Sequence, residues 1–285
     1  MVRLEQDILR TVEEMTMKAV VLSDNIPWNG LNGEWGLSIY ITYRDKRILL
    51  DSGASGLFLE NAEKLGIDLT QVDYAVLSHG HYDHSDGMET FFQTAANARF
   101  YVRPGCDACY IQREEELAYG GVPEPVMERY SDRIVFAMGD VSPSEGVWLI
   151  PHKTPGLSAY GEANHMYILR DGKMEPDDYA HEQSLVFETE EGLIIFNSCS
   201  HGGADNIIRE VGETFPGKKL RALIGGFHLF PRTDEEVRAL ARRIQKTGIA
   251  AVYTGHCTGE RGLAILQEEL GGLVHPFHTG LVMEF

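Results

Sequence analysis

The stretch that most constrains this chain is Ser78-His79-Gly80-His81-Tyr82-Asp83-His84-Ser85-Asp86-Gly87. Three of the eleven histidines fall within six residues, with a carboxylate among them. Ahead of it, Val72, Tyr74, Ala75, Val76 and Leu77 form a short apolar run of strand type. Gly80 and the Asp86-Gly87 pair break regular structure directly afterwards. The segment therefore leaves a buried strand and turns sharply into a loop. Such a turn aims His79 and His81 one way and Asp83 and His84 another. Imidazole and carboxylate donors at this density suit zinc, iron or manganese. A solvated loop that is merely rich in histidine needs no such spacing.

The rest of the chain is long enough to support a buried site. Its 285 residues can bury a sizeable core as one large domain or two packed halves. Apolar content of 43% and charged content of 24% are those of a globular protein. The formal charge of −18 argues against a nucleic-acid backbone or an anionic membrane as the main partner, because both demand a basic face. It leaves open a small anionic substrate, since a metal cluster can reverse the local field. Met1-Val2-Arg3-Leu4-Glu5-Gln6-Asp7 lacks a basic segment followed by an apolar core, so no signal peptide is expected. The four cysteines are Cys106, Cys109, Cys199 and Cys257. Cys106 and Cys109 have metal or redox spacing, but no second such pair completes a zinc ribbon. All four read as reduced thiols, and the cytoplasm as the compartment.

Taken in order, residues 3–15 read as a short charged helix or extension. Met17–Leu22, Leu37–Tyr43 and Arg47–Leu50 read as strands, the last two joined by a hairpin turn at Arg44-Asp45-Lys46. Leu57, Phe58, Ala62 and Leu65 have helical spacing, with Gly66 as a stop. Residues 88–145 carry the least pattern. They read either as a mobile helical insert near the site mouth or as a plain surface excursion. Strands resume at Val147–Ile150 and Met166–Leu169. Ser184–Phe187 and Leu193–Phe196 flank Glu190-Glu191-Gly192 as a hairpin. Thr233-Asp234-Glu235-Glu236 is a capping box opening a helix that ends at Gly248, and a last helix covers Leu263–Leu270.

Five apolar runs end in polar clusters. Ile48-Leu49-Leu50 leads into Asp51-Ser52-Gly53, and Ala75-Val76-Leu77 into the histidine motif. Leu193–Phe196 leads into Asn197-Ser198-Cys199-Ser200-His201, and Ala222-Leu223-Ile224 into Gly225-Gly226-Phe227-His228. Ala250–Tyr253 leads into Thr254-Gly255-His256-Cys257. Strands packed side by side bring such ends to one sheet edge. His201, His228 and His256 are thereby expected to join the first cluster.

His-x-His-x-Asp-His after a hydrophobic strand resembles the first metal motif of the metallo-β-lactamase-fold hydrolases. The resemblance implies an α/β fold, an αββα sandwich with mixed sheets and helices on the outer faces, as one domain over residues 1–285 with a variable insert around 88–145. It implies two divalent transition-metal ions, zinc with manganese or iron as alternatives. His79 and His81 would serve one ion, and Asp83 and His84 the other. Asp51, in an Asp-x-Gly, looks like the carboxylate that orients a ligating histidine. His256 matches the late histidine of the second ion. His201 is the choice for the third histidine of the first ion, with His181, just before the hairpin, competing. The bridging aspartate common in the family is absent, and Cys199 stands about where it would be.

Glu34-Trp35-Gly36-Leu37-Ser38, the histidine motif, Cys199-Ser200-His201, Gly225-Gly226-Phe227-His228-Leu229 and His256-Cys257-Thr258-Gly259 are similar, in one order, to the branch typified by 7,8-dihydropterin-6-yl-methyl-4-(β-D-ribofuranosyl)aminobenzene-5'-phosphate synthase. Trp35 replaces the histidine often found there. The resemblance implies a metal-activated water acting on a small, phosphorylated or pterin-like metabolite, with an ester or lactone as alternatives. Asp83 would also steer a proton, and His228 would meet substrate. The rival reading is a non-hydrolytic redox or metal-sensing protein of the same fold, for which Cys199 and Cys257 lie beside two candidate ligands.

Overall fold

The structure, a computed structural model, describes residues 17–285. The helix or extension expected over residues 3–15 lies outside the described residues. Two seven-stranded sheets form the centre. The first runs in the order β18 (Val282–Glu284), β1 (Lys18–Ser23), β2 (Ser38–Tyr43), β3 (Lys46–Leu50), β4 (Tyr74–Val76), β5 (Arg99–Val102) and β8 (Ile134–Phe136). The second runs β17 (Val274–Pro276), β16 (Ala251–Thr254), β15 (Leu220–Ile224), β14 (Gly192–Phe196), β13 (Gln183–Thr189), β10 (Val147–Pro151) and β9 (Val141–Ser144). The strands that carry the polar clusters are parallel to their neighbours: β3 with β4 in the first sheet, and β14, β15 and β16 in the second.

Why these runs become central strands is visible in their alternation. Ile48 and Leu50 of β3 face the core between the sheets, while Leu49 faces the helices outside. Ile194 and Phe196 of β14 point inward between the sheets, and Leu193 and Ile195 outward. A strand buried on both faces reads as a continuous apolar run, not an alternating one. Full burial of one such side chain is worth about 1.5–3 kcal/mol. Phe58, Ala62, Met88, Phe91 and Phe92 cover the outer face of the first sheet from helices Leu57–Lys64 and Met88–Thr94. Helices Ala204–Thr214, Asp234–Thr247 and Gly259–Leu270 cover the second. Four layers result, helix–sheet–sheet–helix. The capping box forms as read: Thr233 accepts from the Glu236 amide, and Glu236 accepts from the Thr233 amide.

Two expectations are corrected. The five polar clusters do not share one sheet edge. They divide between the two sheets and face each other at the same end of the sandwich. Residues 88–145 are also neither purely helical nor a plain excursion. They give β5 and β8 to the first sheet. They also supply the hairpin β6 (Cys109–Arg113) and β7 (Glu116–Tyr119), which pairs with β11 (Met166–Arg170) and β12 (Lys173–Pro176) as a third, four-stranded sheet. These strands are short and half exposed, which leaves little hydrophobic period to read. No helix among the described residues is long and apolar enough to cross a membrane.

Candidate metal centre

The site is built at the seam between the sheets. β3 ends at Asp51, and β4 ends in the loop carrying His79 and His81. A single helical turn, Tyr82–Ser85, then presents Asp83 and His84. From the second sheet, β14 delivers Cys199 and His201, β15 delivers His228, and β16 delivers His256. Asp51, Ser200, His228 and His256 all have positive φ, between 47° and 57°. Left-handed backbone is costly for residues other than glycine and clusters where function demands a side-chain direction.

Asp51 organises the first half of the site. It is fully buried. Its Oδ1 accepts from the Ser78 amide at 2.6 Å, and its Oδ2 from the Ser78 hydroxyl at 2.7 Å. Ser78 has one hydroxyl proton, and that proton is used on Asp51. The Ser78 oxygen, 2.8 Å from His79 Nδ1, must then accept from it. His84 Nδ1 likewise donates to Asp51 Oδ2 at 2.8 Å. On the opposite sheet His256 Nδ1 lies 2.9 Å from Asn25 Oδ1, while Asn25 Nδ2 donates to the His256 carbonyl. Three imidazoles are thus held with the proton on Nδ1 and the Nε2 lone pair facing the seam. Second partners of this kind fix the tautomer and ring direction of a ligating histidine.

Those lone pairs gather in two sets. Donor atoms of His79, His81 and His201 lie within 4.8 Å of one another, and so do those of Asp83, His84 and His256. His79 Nε2 and His201 Nε2 approach to 3.3 Å. Burial first, and neighbouring imidazoles second, hold His79 and His201 well below the usual histidine range, so they stay neutral. Asp83 Oδ2 lies 3.6 Å from His84 Nε2 and 3.4 Å from His256 Nε2. In the ion-free protein burial opposes its charge, but protons shared with His84 and His256 outweigh burial and hold its carboxyl below the usual range, and a bound ion would take the place of those protons. His81 Nε2 and His256 Nε2 are buried with no hydrogen-bond partner. Buried polar atoms are rarely left so, and a cation is the partner that a neutral imidazole and a carboxylate share. The donor set fits divalent transition ions.

His181 takes a different place from the one its neighbours suggest. The acidic run around it reads as solvated, yet His181 and Asp177 are both fully buried. His181 Nε2 pairs with Asp177 Oδ2 at 2.9 Å, and Nδ1 accepts from the Gly80 amide at 3.0 Å. Both ring nitrogens are occupied, so His181 braces the loop that carries His79 and His81. His228 sits with its ring 4.4 Å from that of His201, and its Nδ1 is buried without a partner. Cys199 lies between the two sets, its Sγ 3.2 Å from His84 Nε2. Cys106 and Cys109 are buried free thiols, and Cys109 joins His81, Asp177 and His181 in one cluster beside the first triad.

Sequence reading missed Asn25 and Ser78, which orient the rings of His256 and His79. It also missed a buried triad behind His201. There His152 bridges Glu182 and Glu210 at 2.9 and 3.0 Å, and Glu182 accepts from the His201 amide at 3.1 Å. The position of Ser78 between strand and first histidine was its available signal.

A cavity of about 200 Å³ opens on the site, walled by Trp35, Tyr82, Arg113, Met166 and Phe230. The Trp35 ring lies 5.1 Å from that of His256, tilted by 37°, in the position where a histidine was the common alternative. A second cavity, of about 260 Å³, meets His201 and His228 and is lined by Tyr160, Asn164 and Arg232.

Comparison with known proteins agrees with this geometry. Residues 36–165 match the Metallo-beta-lactamase superfamily. The chain is 25% identical over 84% of its length to 7,8-dihydropterin-6-methyl-4-(beta-D-ribofuranosyl)-aminobenzene-5'-phosphate synthase of Methanocaldococcus jannaschii, covering 85% of that protein. It is 26% identical to an uncharacterized protein of the same organism, over 92% of this chain and 98% of that one. Among solved structures it superposes on Tm1679, a metal-dependent hydrolase of the beta-lactamase superfamily, with a TM-score of 0.81 and 30% identity, covering 94% of this chain and 99% of that one. A diphosphatase of the PhnP family, at 17% identity and a TM-score of 0.52 over 95% of this chain and 98% of that one, shares the fold. With a four-layer sandwich, two ligand sets at its seam and a full-length relative at this identity, the chain belongs to the metallo-beta-lactamase superfamily.

Proposed function

We propose that this protein is a metal-dependent hydrolase acting on a small, phosphorylated or pterin-like metabolite. The observation that carries the reading is the set of buried Nε2 lone pairs from His79, His84 and His256, each aimed by a partner on Nδ1. His79, His81 and His201 would hold one divalent ion, and Asp83, His84 and His256 the other, zinc being the first choice. Ions bound there would supply Lewis-acid polarisation of a carbonyl or phosphoryl oxygen and lower the pKa of water.

The chain's own residues do the rest. Asp83 is anionic and stands with His84 and His256 at the second proposed ion position, so its other oxygen can hold the proton of an attacking water. His228, with an unpartnered Nδ1 next to His201, is placed to hydrogen-bond the substrate or its leaving group. The Arg232 guanidinium donates to Asn164 Oδ1 at 2.6 Å at the rim of the larger cavity and offers positive charge in a chain of −18. That favours an anionic substituent such as phosphate. Trp35 and Phe230 form an edge-to-face pair at 6.0 Å that shields the mouth from water and offers an apolar wall.

The test is elemental analysis of protein purified without chelator, followed by release assays on phosphate monoesters, phosphodiesters, esters and lactones. Metal bound at up to two ions per chain with metal-dependent release from one class is the expected result. A chain that stays metal-free after incubation with zinc, manganese and iron overturns the reading. A coloured, redox-active iron form without hydrolysis would turn it to the oxidoreductase alternative.

A further inference from the structure

The cavity of about 260 Å³ shares only the walls His201 and His228 with the one that opens on the candidate metal centre. Three polar groups in its lining are unspent in the fold. The Ser200 hydroxyl is buried at 2% exposure with no hydrogen-bond partner. His228 Nδ1 is likewise without a partner, in a residue 7% exposed. The Arg232 guanidinium donates to a neutral acceptor, Asn164 Oδ1, and to no carboxylate among the described residues. Asn164 in turn donates to the Tyr179 hydroxyl at 3.0 Å, and the Tyr179 ring stacks on that of His201 at 5.0 Å. The guanidinium is thereby tied to a ring that lines both cavities. The backbone adds positive potential. Gly203, also in the lining, precedes helix Ala204–Thr214, and no side chain caps that helix. The first amides of a helix have no acceptor within it and favour an anion. The Gly203 amide donates to the Ser200 carbonyl at 2.8 Å, which sets the serine directly before the helix. The carboxylates close by are occupied. Glu236 closes the capping box with Thr233, and Asp205, outside the lining, accepts from Arg243 at 2.7 Å.

We propose that this second cavity is the subsite for a phosphate monoester group of the substrate, a handle that is held and not cleaved. The inference rests on the hydrolase reading above and deepens it. Donors converge there from the Arg232 fork, the Ser200 hydroxyl, the His228 ring and the helix N-terminus. A tetrahedral group with three free oxygens can engage them together, whereas a carboxylate has two oxygens in one plane and leaves donors unspent. With the handle in this cavity, the bond to be hydrolysed lies across His201 and His228, in the cavity lined by Asp83. The substrate class is therefore a phosphorylated metabolite with a second, hydrolysable bond, and its phosphate stays on one product.

Methylphosphonate tests this without reference to catalysis, because it has the charge and shape of a phosphate monoester and no ester bond to cleave. Full-length protein incubated with zinc is titrated with it by calorimetry, and with acetate as a control. Wild-type protein is expected to bind methylphosphonate, and to bind acetate far more weakly. Arg232→Gln is expected to weaken methylphosphonate binding by about ten-fold or more, with zinc content unchanged by elemental analysis. Ser200→Gly, which suits the φ of +50° at that residue, is expected to weaken it as well. Binding that Arg232→Gln leaves unchanged would put the anion on the ions, overturning the subsite while leaving the metal reading intact. Acetate bound as tightly as methylphosphonate overturns the phosphate assignment, and no methylphosphonate binding overturns the subsite. A chain that takes up no zinc yet binds methylphosphonate through Arg232 supports the subsite and removes the hydrolase reading. If Ser200→Gly fails to fold, Arg232→Gln decides, because that side chain sits half-buried at the rim.

Discussion

Asp51 and His84 meet in a fully buried contact, Oδ2 to Nδ1 at 2.8 Å, although they hang from different strands of the first sheet. The same carboxylate reaches His79 through Ser78. One residue therefore aims a ligand of each proposed ion. Asp51→Asn is the mildest probe, because asparagine tolerates the φ of +57° found here. The change should weaken zinc affinity by about ten- to a hundred-fold at both positions with little loss of fold. Calorimetric titration checks it. An unaltered isotherm would mean that Asp51 only caps its turn.

His201 and His181 separate by different measurements. His201→Ala should remove one ion per chain, read by elemental analysis, and abolish metal-dependent hydrolysis. His181→Ala should keep both ions but leave Asp177 buried without its partner. Removing one member of a buried pair typically costs about 3–5 kcal/mol, so its melting temperature should fall by many degrees. If the ion is lost from His181→Ala and kept by His201→Ala, the assignment is reversed.

The triad behind His201 gives a pH dependence. Burial opposes the charge of His152, but Glu182 and Glu210 outweigh it and raise the imidazole from 6.5 to about 9. That stability is complete below the unfolded value and is lost as pH climbs through about 9. Glu210, lowered to about 2 by His152 against its own burial, contributes above 4.5 and loses that contribution as pH falls through about 2. The unfolding free energy from urea titration should therefore decline from pH 6.5 to 9.5, by up to roughly 3 kcal/mol at about 1.4 kcal/mol per pKa unit. His152→Gln should start lower and decline less over that range. Parallel curves for the two proteins would rule the triad out as the cause.

Gly80 is required by close approach. A Cβ there would lie 2.3 Å from the Cys106 carbonyl oxygen, backbone against backbone. Neither wall can yield cheaply, so Gly80→Ala should destabilise by about 1–3 kcal/mol and loosen the ion served by His79 and His81. A melt and a zinc titration on the same sample check both effects. An unchanged melt would show that the Cys106 turn moves freely.

Much of this was legible before the structure. The apolar runs announced the central strands because both their faces are buried. The Thr233–Glu236 box announced its helix because its two hydrogen bonds are local. What needed three dimensions was pairing. Asn25 follows β1 and His256 follows β16, 231 positions apart, and nothing local links them. Asp177 looked solvated beside Glu175 and Asp178, yet it turns inward to His181. The β6–β7 hairpin stayed hidden because its short strands present half-exposed residues on both faces.

The division of donors between the two sheets has a consequence for how the protein matures. His79, His81, Asp83 and His84 come from one half of the sandwich, and Cys199, His201 and His256 from the other. An ion held by both is a rivet across the seam, and neither half alone offers a complete coordination shell. On the proposed ligand sets, capture would wait for docking of the halves, and loading would be a late event in folding. Stripping the ion reverses that order. It would leave facing lone pairs with nothing between them, so the seam is where the emptied protein is expected to open first.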